Sequence, residues 1–298
     1  MTRSFYTSDH APYYICALDY IQQSAGIRAL HYLCHALNES GLEAYVTCEG
    51  TSPQLRTPEL SENALHHHHI SCRKPIVVYP EIISGDPLAA GGVVARWLLN
   101  RPGHIAGDTS FPPQEMIFAY DPSYLPSGMT GDILHIPTCD LSIFNNDDNH
   151  HDDSREFVCF YAHKYLSKGG VVDEHLADAV SLCKDQQLTH HEIAALLRCA
   201  KVLYVYEPTA LVTEALLCGC PVSIIVTDYW KENTSNYSYP PDWGVTMDGT
   251  PKSLAMAKSN VGKFRSIYEE TVLKDAWIHL DRFIEATQAA AKKQSTRK

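Results

Sequence analysis

The stretch Lys201 to Ile225, KVLYVYEPTALVTEALLCGCPVSII, leaves this chain few ways to fold. An apolar strand ends at Glu207-Pro208-Thr209 and runs into a helix that carries Glu214. Gly219 is a fitting terminator for that helix, and a second strand, Pro221 to Val226, follows at once. Pro208 suits the first turn of a helix, so the backbone N–H groups of Thr209, Ala210 and Leu211 are expected to point outward together, as a cradle for an anion with an acid beside it. Glu214 lies seven residues after Glu207, about two helical turns, so both carboxylates can border one crevice while the apolar residues between them face the sheet.

The amino-terminal half begins the same way. Tyr13 to Leu18 reads as a strand, Asp19 to Ser24 as a loop, and Gly26 to Ser40 as a helix. Ile27, Leu30, Leu33, Cys34 and Leu37 recur along that helix at steps of three and four, and Gly41 closes it. Glu43 to Cys48 is the next strand, and this β-α-β opening implies a parallel sheet with right-handed crossovers. Lys74 to Pro80 is a strand that delivers Glu81, Asp86 to Leu99 is expected to be helical, and Gln114 to Tyr120 and Asp132 to Ile136 complete this half.

Asn145 to Ser154, NNDDNHHDDS, has the composition of a solvated linker, and a chain of 298 residues exceeds the usual single domain. Two domains are therefore expected, 1–150 and 151–298. In the second, Glu156 to Tyr161 is a strand, Asp173 to Leu182 a helix, and Thr189-His190-His191-Glu192 a capping box that opens another helix. Lys231 to Gly244 reads as a loop, and Pro251 to Glu270 and Val272 to Ala291 as closing helices.

A net charge of −11 speaks against a nucleic-acid partner, because dense Lys and Arg occur only at the tail, 292 to 298. That tail leaves weak contact with an anionic membrane open. The first residues lack the apolar core of a signal peptide, and no apolar run reaches the roughly 18–20 residues of a membrane span. The ten cysteines mostly sit inside apolar runs without regular spacing, the pattern of reduced thiols in a cytoplasm. Cys218-Gly219-Cys220 is too tight for common zinc spacing. His66 to His69 is expected in a solvated loop, since four adjacent imidazoles cannot all reach one ion. His150-His151 and the pairs Asp147-Asp148 and Asp152-Asp153 fall in the linker, so no metal is expected.

The strand, the two acids and the tail Glu214-Ala215-Leu216-Leu217-Cys218-Gly219-Cys220-Pro221-Val222 resemble the donor site of GT-B glycosyltransferases. Six residues separate the acids here, one fewer than in the motif of the retaining families. Ser24-Ala25-Gly26 resembles the small-residue loop these enzymes place at their interdomain cleft. The segment IVVYPEIISGDPLAAGGVVARWLLNRPG is similar to the central amino-terminal segment of polysaccharide-assembly enzymes, of the bacterial O-antigen or capsule type.

This resemblance implies an α/β fold of two Rossmann-like domains facing a cleft, with a carboxy-terminal helix that crosses back to the first domain. It implies transfer of a sugar from a nucleoside diphosphate sugar to an acceptor hydroxyl, with a glycan or lipid-linked glycan as acceptor partner and other polysaccharide-assembly enzymes nearby. The expected location is the cytoplasm, peripheral to the inner membrane when the acceptor is lipid-linked.

The same resemblance puts the diphosphate on Thr209, Ala210 and Leu211, the ribose hydroxyls on Glu214, and a basic residue, Lys164 or less favourably His163, against the phosphates, with no cofactor or metal. Arg198 is read as a helix-end charge rather than a ligand. If transfer retains configuration, Glu207 contacts the donor sugar; if it inverts, a base takes the acceptor proton, and Asp19, Glu81 and His135 are the candidates at strand ends. Two rivals remain: a sugar-nucleotide epimerase of the same architecture, and a non-catalytic scaffold subunit.

Overall fold

The computed structural model describes residues 10–147, 155–233 and 239–296. The chain divides into two compact units, Met1–Thr138 with Lys274–Lys298, and Cys139–Leu273. The junction thus falls at 138/139, where the sequence reading puts it at 150, and residues 148–154 of the acidic stretch lie outside the described residues.

The first unit contains β1 (Tyr13–Ile15), α1 (Ala25–Glu39), β2 (Ala44–Val46), α2 (Glu62–Ile70), β3 (Ile76–Pro80), β4 (Val93–Leu98), β5 (Met116–Ala119) and β6 (Asp132–Ile133). All the strands are parallel, in the order β2-β1-β3-β4-β5-β6. Strand order reverses direction between β1 and β3, which makes that gap the topological switch point of the sheet. Leu30, Leu33, Cys34 and Leu37 of α1 are buried in the core, as their spacing requires. Gly41 ends the helix at φ +80, a conformation that costs a glycine little.

The segment expected to be a helix over 86–99 is instead a loop followed by β4. Gly91-Gly92 breaks any helix there, and a Cβ on Gly92 would stand 1.7 Å from the Pro75 carbonyl oxygen, so the backbones of neighbouring strands meet at this point. Arg96 of β4 is fully buried: its guanidinium bonds Glu115 and the carbonyls of Ile83 and Gly85 and lies over the Tyr79 and Phe111 rings.

His66 to His69 are in α2, not in a solvated loop, because Ser61 caps the Ala64 amide and starts a helix there. His68 is buried between Tyr14 Oη and Glu43 Oε1, each at 2.7 Å.

The second unit contains β7 (Phe157–Tyr161), α3 (His163–Ser167), β8 (Val180–Ser181), α4 (His190–Cys199), β9 (Ala200–Val205), α5 (Leu211–Leu217), β10 (Val222–Ile224), α6 (Asp228–Asn233), β11 (Val245–Thr246), α7 (Pro251–Asn260) and α8 (Phe264–Ile267). Its parallel sheet runs β11-β10-β9-β7-β8, with the switch point between β7 and β9. The helix expected over 173–182 is a short 3-10 turn, Glu174–Leu176, followed by β8. Tyr206 Oη holds both the carboxylate and the amide of Asp173, and Val180 pairs with Cys159, so tertiary bonds replace helical ones.

The capping box at Thr189 and Glu192 forms as expected. Arg155 bonds the Leu197, Ala200 and Cys218 carbonyls, closing α4 and α5 together, and Gly219 turns at φ +69 beside it.

A last helix, α9 (Lys274–Ser295), returns to the first sheet. Leu280 and Phe283 enter that core, Tyr13 Oη and Thr287 Oγ1 are 2.9 Å apart, and the Gln288 amide pairs with both backbone groups of Ala11. The α/β class with two parallel, doubly wound sheets and a returning carboxy-terminal helix is therefore the observed architecture.

Candidate functional site

Ligands of open parallel sheets bind beyond the carboxyl ends of the strands, at the switch point. In the second unit that place is formed by the ends of β7 and β9 and the starts of α3 and α5. Tyr161 pairs in register with Val205, which brings Tyr161 next to the chain leading into Glu207.

Glu207 is 1% exposed, and its Oε2 accepts the Tyr165 amide at 2.7 Å. No side chain caps α3 at Ala162, so this carboxyl is the group that satisfies the first turn of that helix. Burial pushes the Glu207 carboxyl up, opposed by the Tyr165 and Lys164 amides and by the charges of Lys164 and His163. Lys164 is exposed, and His163 Nδ1 lies 4.0 Å from Asp185 Oδ1.

The helix that carries Glu214 begins at Leu211, not at Pro208. Thr209 Oγ1 accepts the Leu211 amide at 3.3 Å, so this one of the amides expected to point outward is engaged within the chain. Ala210 is the N-cap residue, in a right-handed helical conformation. The Tyr161 phenol is pushed up by burial and, to a smaller degree, by the charges of Glu207 and Glu214. Glu214 is 3% exposed. Glu207 and Thr209 thus lie in the turn between β9 and α5 and Glu214 on α5, with Tyr161 at the end of the neighbouring strand.

An aromatic group adjoins them. Tyr165 stacks on Tyr206 at 5.1 Å and 19°, and Tyr229 of α6 meets Tyr165 edge-on at 6.2 Å. Sequence reasoning did not assign these tyrosines a role. The available signal was a Tyr at the end of each of two strands, 161 and 206; the pairing that joins them is long-range.

In the first unit the candidates are dispersed. Asp19 is exposed and its Oδ1 accepts the Gly50 amide at 2.9 Å. Glu81 is 3% exposed, its Oε2 accepts the Leu99 amide at 2.8 Å, and burial pushes its carboxyl up. Leu99 follows β4, so Glu81 is turned away from the β1–β3 switch point. Ser24 Oγ accepts the Ile27 amide as the N-cap of α1. A Cβ on Gly26 would meet only Leu99 Cδ1 at 3.9 Å, an ordinary contact, so nothing in the unit requires glycine there. His135 packs on Tyr120 at 4.4 Å between ring centres, and burial pushes its imidazole down.

Among the described residues no group of three His, Cys, Asp or Glu side chains is placed to hold a metal, and no helix is long and apolar enough to cross a membrane. Asp148, His150, His151, Asp152 and Asp153 lie outside the described residues. A cavity of about 360 Å³ opens at the β5–β6 edge, lined by Met116, Ile117, Phe118, Thr130, Gly131 and Asp132; it holds a single ionisable group and is remote in the sheet from the switch point.

No protein-family model matches the chain, and no curated protein matches it by sequence. Among solved structures, the glycosyltransferase VinC in complex with dTDP overlaps with a TM-score of 0.47 and 13% identity, over 91% of this chain and 100% of that one. A putative UDP-N-acetylglucosamine 2-epimerase from Listeria monocytogenes gives 0.43 and 11%, over 94% and 93% of the two chains. WaaG, a glycosyltransferase involved in lipopolysaccharide biosynthesis, gives 0.43 and 11%, over 92% and 99%. At these scores the likeness decides nothing about ligand or reaction, and the doubly wound character of each unit follows from its own strand order.

Proposed function

We propose that the chain is a glycosyltransferase that moves a sugar from a nucleoside diphosphate sugar to an acceptor hydroxyl, with the donor held at the carboxyl edge of the second sheet. The observation that carries this reading is the buried Glu207 at the β7–β9 switch point, which accepts the Tyr165 amide, with the buried Glu214 on α5 and the exposed Lys164 on α3. In this reading Glu214 accepts hydrogen bonds from the ribose hydroxyls, and the Thr209 hydroxyl and Lys164 meet the diphosphate.

The reaction breaks the bond between the anomeric carbon and the phosphate oxygen, which leaves with the electron pair. A bond forms from the acceptor oxygen to that carbon, and the acceptor proton passes to a base. Charge grows on the departing diphosphate, and in this reading the Lys164 ammonium stabilises it. The proposed transfer is metal-independent and retaining, with Glu207 beside the donor sugar. The proposed acceptor is a glycan or lipid-linked glycan of bacterial polysaccharide assembly, met in the cytoplasm.

Two buried acids around one site also suit a sugar-nucleotide epimerase. Incubating UDP-GlcNAc without an acceptor separates the two: a new epimer supports the epimerase and contradicts the transferase. The transferase reading is tested by thermal unfolding with UDP, GDP, dTDP, CMP and ADP sugars. A donor at one hundred times its dissociation constant stabilises the fold by about 2.7 kcal/mol. No shift with any of them would contradict the reading.

A further inference from the structure

Glu207 is a buried acid with an incomplete hydrogen-bond set. Its Oε2 has the Tyr165 amide, while Oε1 has no hydrogen-bond partner among the described residues. An ionised carboxylate oxygen buried without a donor is far more costly than a neutral hydroxyl in the same place.

The titratable groups on the adjoining elements are Tyr161 at the end of β7, His163 and Lys164 of α3, Glu214 of α5 and Tyr229 of α6. His163 and Lys164 favour a charged Glu207, but Lys164 is exposed and His163 is turned toward Asp185.

We propose that Glu207 is held as a neutral carboxylic acid whose Oε1–H donates a hydrogen bond to an oxyanion of the bound ligand, so that anion binding at this edge is coupled to one proton. The ligand class, a phosphate or pyrophosphate oxygen, rests on the proposed function; the protonation does not. An ionised Glu207 repels a polyanion, whereas the acid offers it a donor. Binding at a pH where the empty site is ionised therefore takes up a proton from solvent.

Protonation is read on the unliganded full chain from the Glu Cδ resonances of 13C-labelled protein. Glu207 is assigned by the signal missing from Glu207→Gln, whose amide keeps an acceptor for the Tyr165 N–H and a donor at the Oε1 position. The Glu207 signal is expected to titrate well above the ordinary value near about 4.3; titration at or below that value overturns the proposal.

Calorimetry with inorganic pyrophosphate and with UDP reads the coupling. Wild-type affinity is expected to fall about tenfold per pH unit above the Glu207 midpoint relative to Glu207→Gln, a difference in which the ligand's own titration cancels. Parallel pH profiles for the two proteins overturn the coupling. Failure of either anion to bind at any pH overturns the ligand assignment together with the proposed function, while the resonance titration still decides the protonation.

Discussion

Glu81 and Glu207 hold the same station in two sheets of the same strand order: each follows the third strand of its unit, and each gives a carboxylate oxygen to a backbone amide, that of Leu99 or that of Tyr165. They differ in the side to which they turn. Glu81 reaches past β3 toward β4, away from the switch point, whereas Glu207 reaches across it from β9 to the chain after β7. One acid braces a loop, and the other borders the candidate site.

Glu81→Ala should therefore act on stability alone. It strips a buried amide of its acceptor, a loss of about 1–3 kcal/mol, and should leave nucleoside diphosphate affinity unchanged. Urea unfolding and a binding isotherm on the same variant check both parts.

The pH dependence of stability should separate Glu207 from an ordinary acid. Burial holds its carboxyl above the usual range, so the folded chain retains that proton to higher pH than the unfolded chain does. Glu207 consequently subtracts stability above its folded pKa, and the penalty disappears as pH falls below the unfolded value near about 4.3. Glu207→Gln, which cannot ionise, should raise the unfolding temperature more at about pH 8 than at about pH 4. Equal shifts at the two pH values would contradict the raised carboxyl.

Glu43 should show the opposite sign. Burial pushes its carboxyl up, but hydrogen bonds from His68, Tyr45 and Arg73 together outweigh that and hold it below the usual range. Its stabilisation is present above the unfolded value and is lost as pH falls through the folded one. Glu43→Gln should weaken the fold at neutral pH, with the difference from wild type shrinking in acid, as followed by thermal unfolding across pH.

The opening β-α-β unit was legible because α1 presents a single apolar stripe and Gly41 marks its end, and the capping box at Thr189 was legible because its bonds are local. The segment 86–99 was not. Val93 to Leu98 buries both faces over its last four residues, Arg96 included, so it shows no alternation, and what identifies it is its long-range pairing with β3. His68 was illegible for a similar reason: its partners, Tyr14 on β1 and Glu43 just before β2, are far away in sequence. In the candidate site the acids and the strand–helix–strand order could be read, but the Tyr165 amide on Glu207 depends on the pairing of β7 with β9.

Gly92→Ala distinguishes the two readings of that segment. In a helix, alanine would stabilise by about 0.5–1 kcal/mol. In the observed bend before β4 the new methyl meets the Pro75 carbonyl oxygen at 1.7 Å, and the variant should lose at least about 1–3 kcal/mol. The unfolding midpoint in urea decides between them.

Calorimetric dissociation constants for whichever nucleoside diphosphate stabilises the wild-type chain, measured on wild type, Glu214→Ala and Thr209→Val, bear on whether the switch point of the second sheet is the donor site. Affinity should fall at least about tenfold in each variant, equivalent to about 1.4 kcal/mol, while Glu81→Ala binds like wild type. Unchanged affinity in both Glu214→Ala and Thr209→Val would place the nucleotide elsewhere and contradict the proposed site.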